Sequence, residues 1–212
     1  MAAARHNGSR REGILAAAGG VFDARGYAAA TVEEVAQRAK IAKGSVYNYF
    51  RSKQALFTAV FAEAWAADMA QAEEMLQQPL PAGERICRLL DSWYALLPKH
   101  KGTGRLVLEF WATAAREKRS GELSGWFRQM YAHWRGRLAE VIAGGVEAGE
   151  FAPGVNPLVA AALILAVMDG IAVQTILDVG LKVDEEFFSR MKRAILTALT
   201  AGANGPSGGA VT

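Results

Sequence analysis

The run AKGSVYNYFRSK, residues 42–53, gathers hydrogen-bond donors and flat rings in a chain otherwise rich in alanine and leucine. Lys43 carries an ammonium that can donate to guanine O6 and N7, and the Ser45 hydroxyl can pair with several bases. Gly44 lets the backbone come close to a base edge or a phosphate. Tyr47, Tyr49 and Lys53 suit phosphate clamping, the task that side-chain hydroxyls and amines commonly perform on nucleic acid. The two tyrosines read equally as half-buried packing residues with wet hydroxyls, and Asn48 either reads adenine or faces solvent. Val46 and Phe50 would turn the other side of the run inward.

Such a run needs a scaffold, and the preceding residues supply one. Ile14, Ala18, Val21 and Phe22 recur at three-to-four spacing, with Gly26 as a stop, which predicts a first helix. Thr31 followed by Glu34 is a capping box, so a second helix opens there. It is short, because AKI at 39–41 breaks the pattern and a third helix begins near Lys43. Ala36 is small where two helices must cross closely, while Val35, Ile41 and Val46 are apolar where the pair must close. Together these residues predict a helix-turn-helix over Thr31 to Phe50 whose third helix enters a major groove by its N-terminal end.

Charge supports the same reading. Residues 1–60 hold nine Lys and Arg against four Asp and Glu, whereas the remainder holds fifteen against seventeen. A basic head on a near-neutral body fits a polyanionic partner, although a solvated basic surface would look the same.

The head stretch TVEEVAQRAKIAKGSVYNYFRSKQALF resembles the DNA-binding domain of tetracycline-repressor-type (TetR family) transcriptional regulators, and the chain resembles them in length and helix order. The resemblance implies an all-α fold with a three-helix head at residues 9–52 and a helical ligand-binding and dimerisation body at 53–200. It implies a homodimer on a palindromic double-stranded DNA operator, usually repressing, released by a small-molecule effector. Family contacts to DNA would fall on Thr31, Lys43, Gly44, Ser45, Tyr47, Asn48, Tyr49 and Lys53. Two positions depart from the family pattern. Lys40 stands where such turns usually carry glycine, and Ala42 replaces the usual Ser or Thr that caps the third helix.

The rest of the chain reads as helices. Ser52 caps a long one, which runs roughly 35–40 Å until Pro79 and Pro81 stop it. Others are expected at 83–97, 105–118, 123–148, 157–178 and 184–200, with tails before residue 9 and after 200 expected to be mobile. Met69, Trp93, Phe110, Trp111, Tyr131, Trp134 and Met168 are candidates to line a cavity for an apolar or aromatic effector. His133, Glu109 and Arg105 are candidate polar anchors. Each aromatic could as well be plain core.

The segment LVAAALILAVMDGIAVQTIL, residues 158–177, is long and apolar, but Asp169 and Gln174 inside it argue against a bilayer. It is expected to be buried on most faces, in a subunit interface. Leu163, Val167 and Ile171 would meet Phe187, Met191 and Ile195 of the last helix in a four-helix bundle between two copies. Asp169 would then be paired across that interface.

A single cysteine, Cys87, excludes a disulfide framework or a multi-cysteine zinc site, and no cofactor or metal is expected. No signal-type segment opens the chain, so a cytoplasmic protein is expected. The sequence holds no Ser-His-Asp order, phosphate loop or dinucleotide fingerprint, so an enzyme is not expected; His6 lies in a tail, and His100 and His133 have no evident partners. A ligand-independent DNA-binding regulator or activator of the same fold is the alternative.

Overall fold

A computed structural model describes residues 2–97, 104–117 and 121–201, with the side chains of residues 2–8 and of Arg105 outside that description. Among the described residues there is no strand, and nine helices follow one another: α1 (Ala2–Ala29), α2 (Val32–Arg38), α3 (Lys43–Tyr47), α4 (Lys53–Gln77), α5 (Ala82–Leu96), α6 (Gly104–Arg116), α7 (Glu122–Glu147), α8 (Pro157–Leu177) and α9 (Glu185–Thr200). The fold is all-α, as expected. The helix boundaries from α5 onward fall within a residue or two of the expected ones, because cap residues mark them. Asn156 accepts from the N–H groups of Leu158 and Val159, and Asp184 accepts from Phe187 N–H. The N-terminal end departs from expectation: α1 already begins at Ala2, where the alanine run favours helix over a tail.

The described residues form two compact units. One holds the chain as far as Met69 and the stretch that ends at Gln129; the other holds the stretch opening at Ala70 and all that is described from Met130 onward. The head expected over 9–52 lies within the first unit, which also takes in the start of α4, all of α6 and the start of α7.

In the first unit Ile14, Phe22, Val35, Val46, Leu56, Phe57 and Phe110 make the buried core. Phe57 meets Phe22 edge-on at 4.9 Å between ring centres, and Phe61 stacks on Phe110 at 4.0 Å. Each fully buried ring of this kind contributes about 1.5–3 kcal/mol of transfer free energy. In the second unit Ile86, Leu90, Leu138, Ile142 and Phe188 form a separate core, with Tyr94 stacked on Phe188 at 4.3 Å.

Within the head, both halves of the capping box form. The Glu34 N–H donates to Thr31 Oγ1 at 3.2 Å, and the Thr31 N–H donates to Glu34 Oε2 at 2.9 Å. These bonds and Arg25 hold the Glu34 carboxyl below its ordinary pKa. Val35, Ala36 and Val46 are all buried, which lets α2 and α3 close on each other.

The turn between α2 and α3 passes through Lys40 at φ 55, the left-handed region that favours glycine. A left-handed non-glycine residue costs about 1–2 kcal/mol, offset in part by glycine's greater freedom when unfolded. Lys40→Gly is therefore expected to stabilise the protein by about 0.5–1 kcal/mol in urea unfolding. A lower unfolding midpoint would contradict this account of the turn.

Candidate nucleic-acid interface

The third helix is only one and a half turns long, and its first residues are exposed because its inward side consists of Val46 alone. Ala42 precedes it without a side-chain cap bond, as the sequence implies. Lys43, Gly44, Tyr47 and Asn48 are all exposed, Ser45 is half-buried, and Thr31 lies exposed at the start of α2. Tyr47 keeps 46% of its surface free, a large apolar ring left in water. A Cβ placed on Gly44 would meet nothing within 4 Å in this chain, so nothing internal requires glycine there.

Two of the expected DNA contacts are placed differently. Tyr49 packs against the first core and is half-buried, as the alternative packing reading had it. Lys53 is turned inward. Its Nζ donates to the carbonyls of Tyr27 at 2.7 Å, Ala30 at 2.9 Å and Ala28 at 3.2 Å, and it sits 4.6 Å from the centre of the Tyr27 ring. All three ammonium donors are thus taken just past Gly26, where α1 breaks from helical geometry and the carbonyls that follow need a donor.

Three contacts escaped the sequence reading because they join different helices. Glu33, on the first turn of α2, accepts from Lys43 Nζ at 3.0 Å. This bond holds the Lys43 ammonium above its ordinary pKa. Arg25 donates to Glu34 at 2.7 Å. Glu109 accepts from Tyr27 N–H, beside Gly26 at φ 74. A Cβ at Gly26 would come 2.7 Å from Glu109 Oε1, so glycine is needed there on two grounds. Opposite charges on the opening turns of successive helices were the only sequence signal for the Glu33–Lys43 pair.

The residues expected to hold an effector are divided between the units. Met69, Phe110 and Trp111 belong to the first, and Trp93, Tyr131, Trp134 and Met168 to the second. Phe110 has no exposed surface and is core, stacked into the aromatic cluster, rather than cavity lining. Tyr131 donates to Asp169 Oδ2 at 2.7 Å. Of the expected anchors, Glu109 bonds the α1 corner and His133 bonds Glu73 at 3.1 Å. The Arg105 side chain, His100 and the His6 side chain lie outside the described residues.

One groove, of about 510 Å³, lies in the first unit and is lined by Tyr27, Gln54, Glu109, Thr113 and Arg116. Another, of about 420 Å³, lies in the second between α8 and α9, lined by Val159, Leu163, Val167 and Ile195. None of the seven candidate residues lines either of these two.

The α8 helix corrects two expectations. It is not buried on most faces: Leu158, Val159, Leu163 and Val167 are exposed, Leu163 at 62%. By length and composition it could cross a membrane, with a mean hydropathy of 2.0 in its most apolar window. Ile171, expected at a subunit interface, is instead buried in its own chain, and Met191 and Ile195 pack half-buried against the second core. Phe187 is half-buried, while its neighbour Phe188 enters the core.

Asp169 also finds its partner within the chain, in Tyr131, rather than across an interface. Burial pushes the Asp169 carboxyl above its ordinary pKa, and the Tyr131 bond only partly offsets this. The Tyr131 hydroxyl is pushed up as well, by burial first and by the bonded carboxyl second.

Two family models match this chain. Residues 14–60 fit the one described as bacterial regulatory proteins of the tetR family, and residues 82–201 fit the BetI-type transcriptional repressor C-terminal domain. The chain belongs to the TetR family of transcriptional regulators. The A-factor receptor protein of Streptomyces griseus is 29% identical over 79% of this chain and 55% of its own length. The uncharacterized regulator YhgD of Bacillus subtilis is 31% identical over 47% of this chain and 52% of its own length. The chain thus spans just over half the length of these two curated relatives. Among solved structures, the regulator FadR from Bacillus subtilis in complex with stearoyl-CoA shares the fold. Its TM-score is 0.70 at 20% identity, over 90% of this chain and 98% of that one.

The Asp169 site carries a pH signature. A carboxyl whose pKa is raised by folding contributes stability that is complete below its unfolded value, near 3.8, and is lost as pH rises through the raised one. Asp169→Asn keeps an acceptor for Tyr131 and removes the titration. In urea unfolding across pH 4 to 7 the variant should lack that decline and be at least as stable as the parent at neutral pH. A variant that shows the same decline would place its origin elsewhere.

Proposed function

We propose that this protein represses transcription by binding a palindromic operator as a homodimer and that a small, apolar or aromatic effector held by the body releases it. The carrying observation is the exposed start of α3. Lys43, Gly44, Tyr47 and Asn48 are exposed on a basic head, with the inward side of the helix fixed by Val46. The N-terminal end of this helix would enter the major groove. Lys43 would meet guanine, while Thr31, Ser45 and Tyr47 would hold base edges or phosphate. Asn48 and Tyr49 would stand at the edge of the contact. Lys53 would act from behind, by fixing the corner from which α2 and α3 hang.

The exposed apolar face of α8, with the groove beside α9, supports the dimer. Leu158, Val159, Leu163 and Val167 would be covered by the same face of a second copy, an isologous contact. Two heads so joined would have to stand about 34–36 Å apart, or a multiple of that, to enter successive major grooves. An effector that favoured another head spacing would weaken binding roughly 5- to 150-fold. FadR from Bacillus subtilis forms a complex with stearoyl-CoA, an acyl thioester, and an effector with a long apolar part is the class we favour for this chain. The protein would act in the cytoplasm, where operator DNA lies.

Gly44→Ala separates reading from folding. Because space around Gly44 is open and the position is helical, the variant should be no less stable than the parent. Its affinity for the operator, read by fluorescence anisotropy on duplexes from the protein's own upstream region, should fall at least tenfold (about 1.4 kcal/mol). Lys43→Ala should also lose affinity, with a salt slope close to the parent's, since the lysine meets a base edge and is already paired with Glu33. Undiminished binding by both variants would remove α3 from the DNA contact. Leu163→Lys should convert dimer to monomer in sedimentation equilibrium; an unchanged mass would move the interface elsewhere.

A further inference from the structure

The Glu33–Lys43 pair is out of place on a surface meant only to grip phosphate. Glu34 beside it is used by the cap and by Arg25, but Glu33 takes no part in the cap. Its side chain is 62% exposed and that of Lys43 50%, and a solvated pair of this kind adds little to stability. Set against a phosphate backbone, the carboxylate would be repelled and would cancel part of the lysine's charge. A surface facing only phosphates would do better without it.

A base edge offers what a phosphate does not. In the major groove a G·C pair presents guanine N7 and O6 as acceptors and, next to them, the cytosine N4 amino group as a donor. O6 and N4 are themselves joined by an N–H···O bond of about 2.9 Å. Lys43 Nζ and Glu33 Oε2 stand 3.0 Å apart, so a donor and an acceptor are held side by side at matching spacing. The ammonium has donors left after its bond to Glu33, and the carboxylate has lone pairs left to accept. We propose that Glu33 and Lys43 act as one unit that reads a single G·C pair in each half-site, Lys43 on guanine and Glu33 on the cytosine amino group. The inference rests on the reading of α3 as the groove-entering helix and adds a residue of α2 to it.

An A·T pair in the same orientation reverses the order. The adenine N6 donor would then face the ammonium and thymine O4 would face the carboxylate, so both members of the unit meet like with like. Discrimination of about 5- to 150-fold follows for a good two-point contact. Glu33 also restrains Lys43 from indiscriminate phosphate contact, so its loss should tighten non-specific binding.

The test is selection of binding sites from a random duplex pool by the full-length protein, followed by anisotropy on duplexes in which each base pair of the selected site is exchanged in turn. The parent should lose about 5- to 150-fold when one G·C pair per half-site becomes A·T. In Glu33→Ala that penalty should shrink severalfold while the penalties at other positions persist, and binding to random DNA should tighten with a steeper salt slope. Glu33→Met, which keeps the side chain's length without a carboxylate or amide acceptor, serves if the alanine variant melts early, and should show the same local loss of preference. If both variants keep the parent's penalty at every position, the pair does not read the base and the proposal falls while DNA reading by α3 stands. If the parent selects no sequence at all, the groove-reading head falls, and this proposal with it.

Discussion

One ammonium group organises the head. The carbonyls of Tyr27, Ala28 and Ala30 converge just past the break in α1 at Gly26, and without a partner they would be a cluster of unmet acceptors. Lys53, the first residue of α4, places its Nζ among all three and lies against the Tyr27 ring. Glu109 of α6 takes the Tyr27 N–H at the same corner, and the left-handed conformation of Gly26 lets it come close. The chain leaves this corner directly into the Thr31 capping box. The direction of α2, and of α3 after it, is therefore set by a cation on one helix and a carboxylate on another.

From that corner outward the molecule divides its chemistry between two surfaces. The head presents one ammonium, two hydroxyls and an open glycine on α3, while α8 presents leucine and valine to solvent. The first surface is polar because Val35, Ala36 and Val46 occupy the inward positions of the helix pair. The second is apolar because Ala161 and Ile164 already supply the contact of α8 with its own core, which leaves Leu163 and Val167 uncovered. On the proposed reading the first surface meets DNA and the second meets a second copy.

Much of this was legible in the sequence. The capping box at Thr31 and Glu34 and the apolar spacing of Val35 and Val46 are local patterns, and from α5 onward such patterns placed the helices to within a residue or two. The left-handed turn at Lys40 was legible as a departure from glycine. Contacts between distant residues were not. Nothing near Lys53 shows that its donors will be claimed by α1, and nothing near Asp169 shows that Tyr131 of α7 will claim it. The effector residues were the least legible, because an aromatic at helical spacing looks the same in a packed core as beside a cavity. Phe110 belongs to the core, and Tyr131 is held by a half-buried carboxyl.

Methylation interference at guanine N7 tests the central claim most directly, since N7 lies in the major groove and nowhere else on the pair. On a duplex that the protein binds, methylation at guanines in two patches centred about one helical turn apart, or a multiple of it, should block binding. Such a pattern is what two α3 helices entering successive major grooves would leave. Binding that tolerates N7 methylation throughout the protected region would contradict it, and the exposed face of α3 would then need another partner.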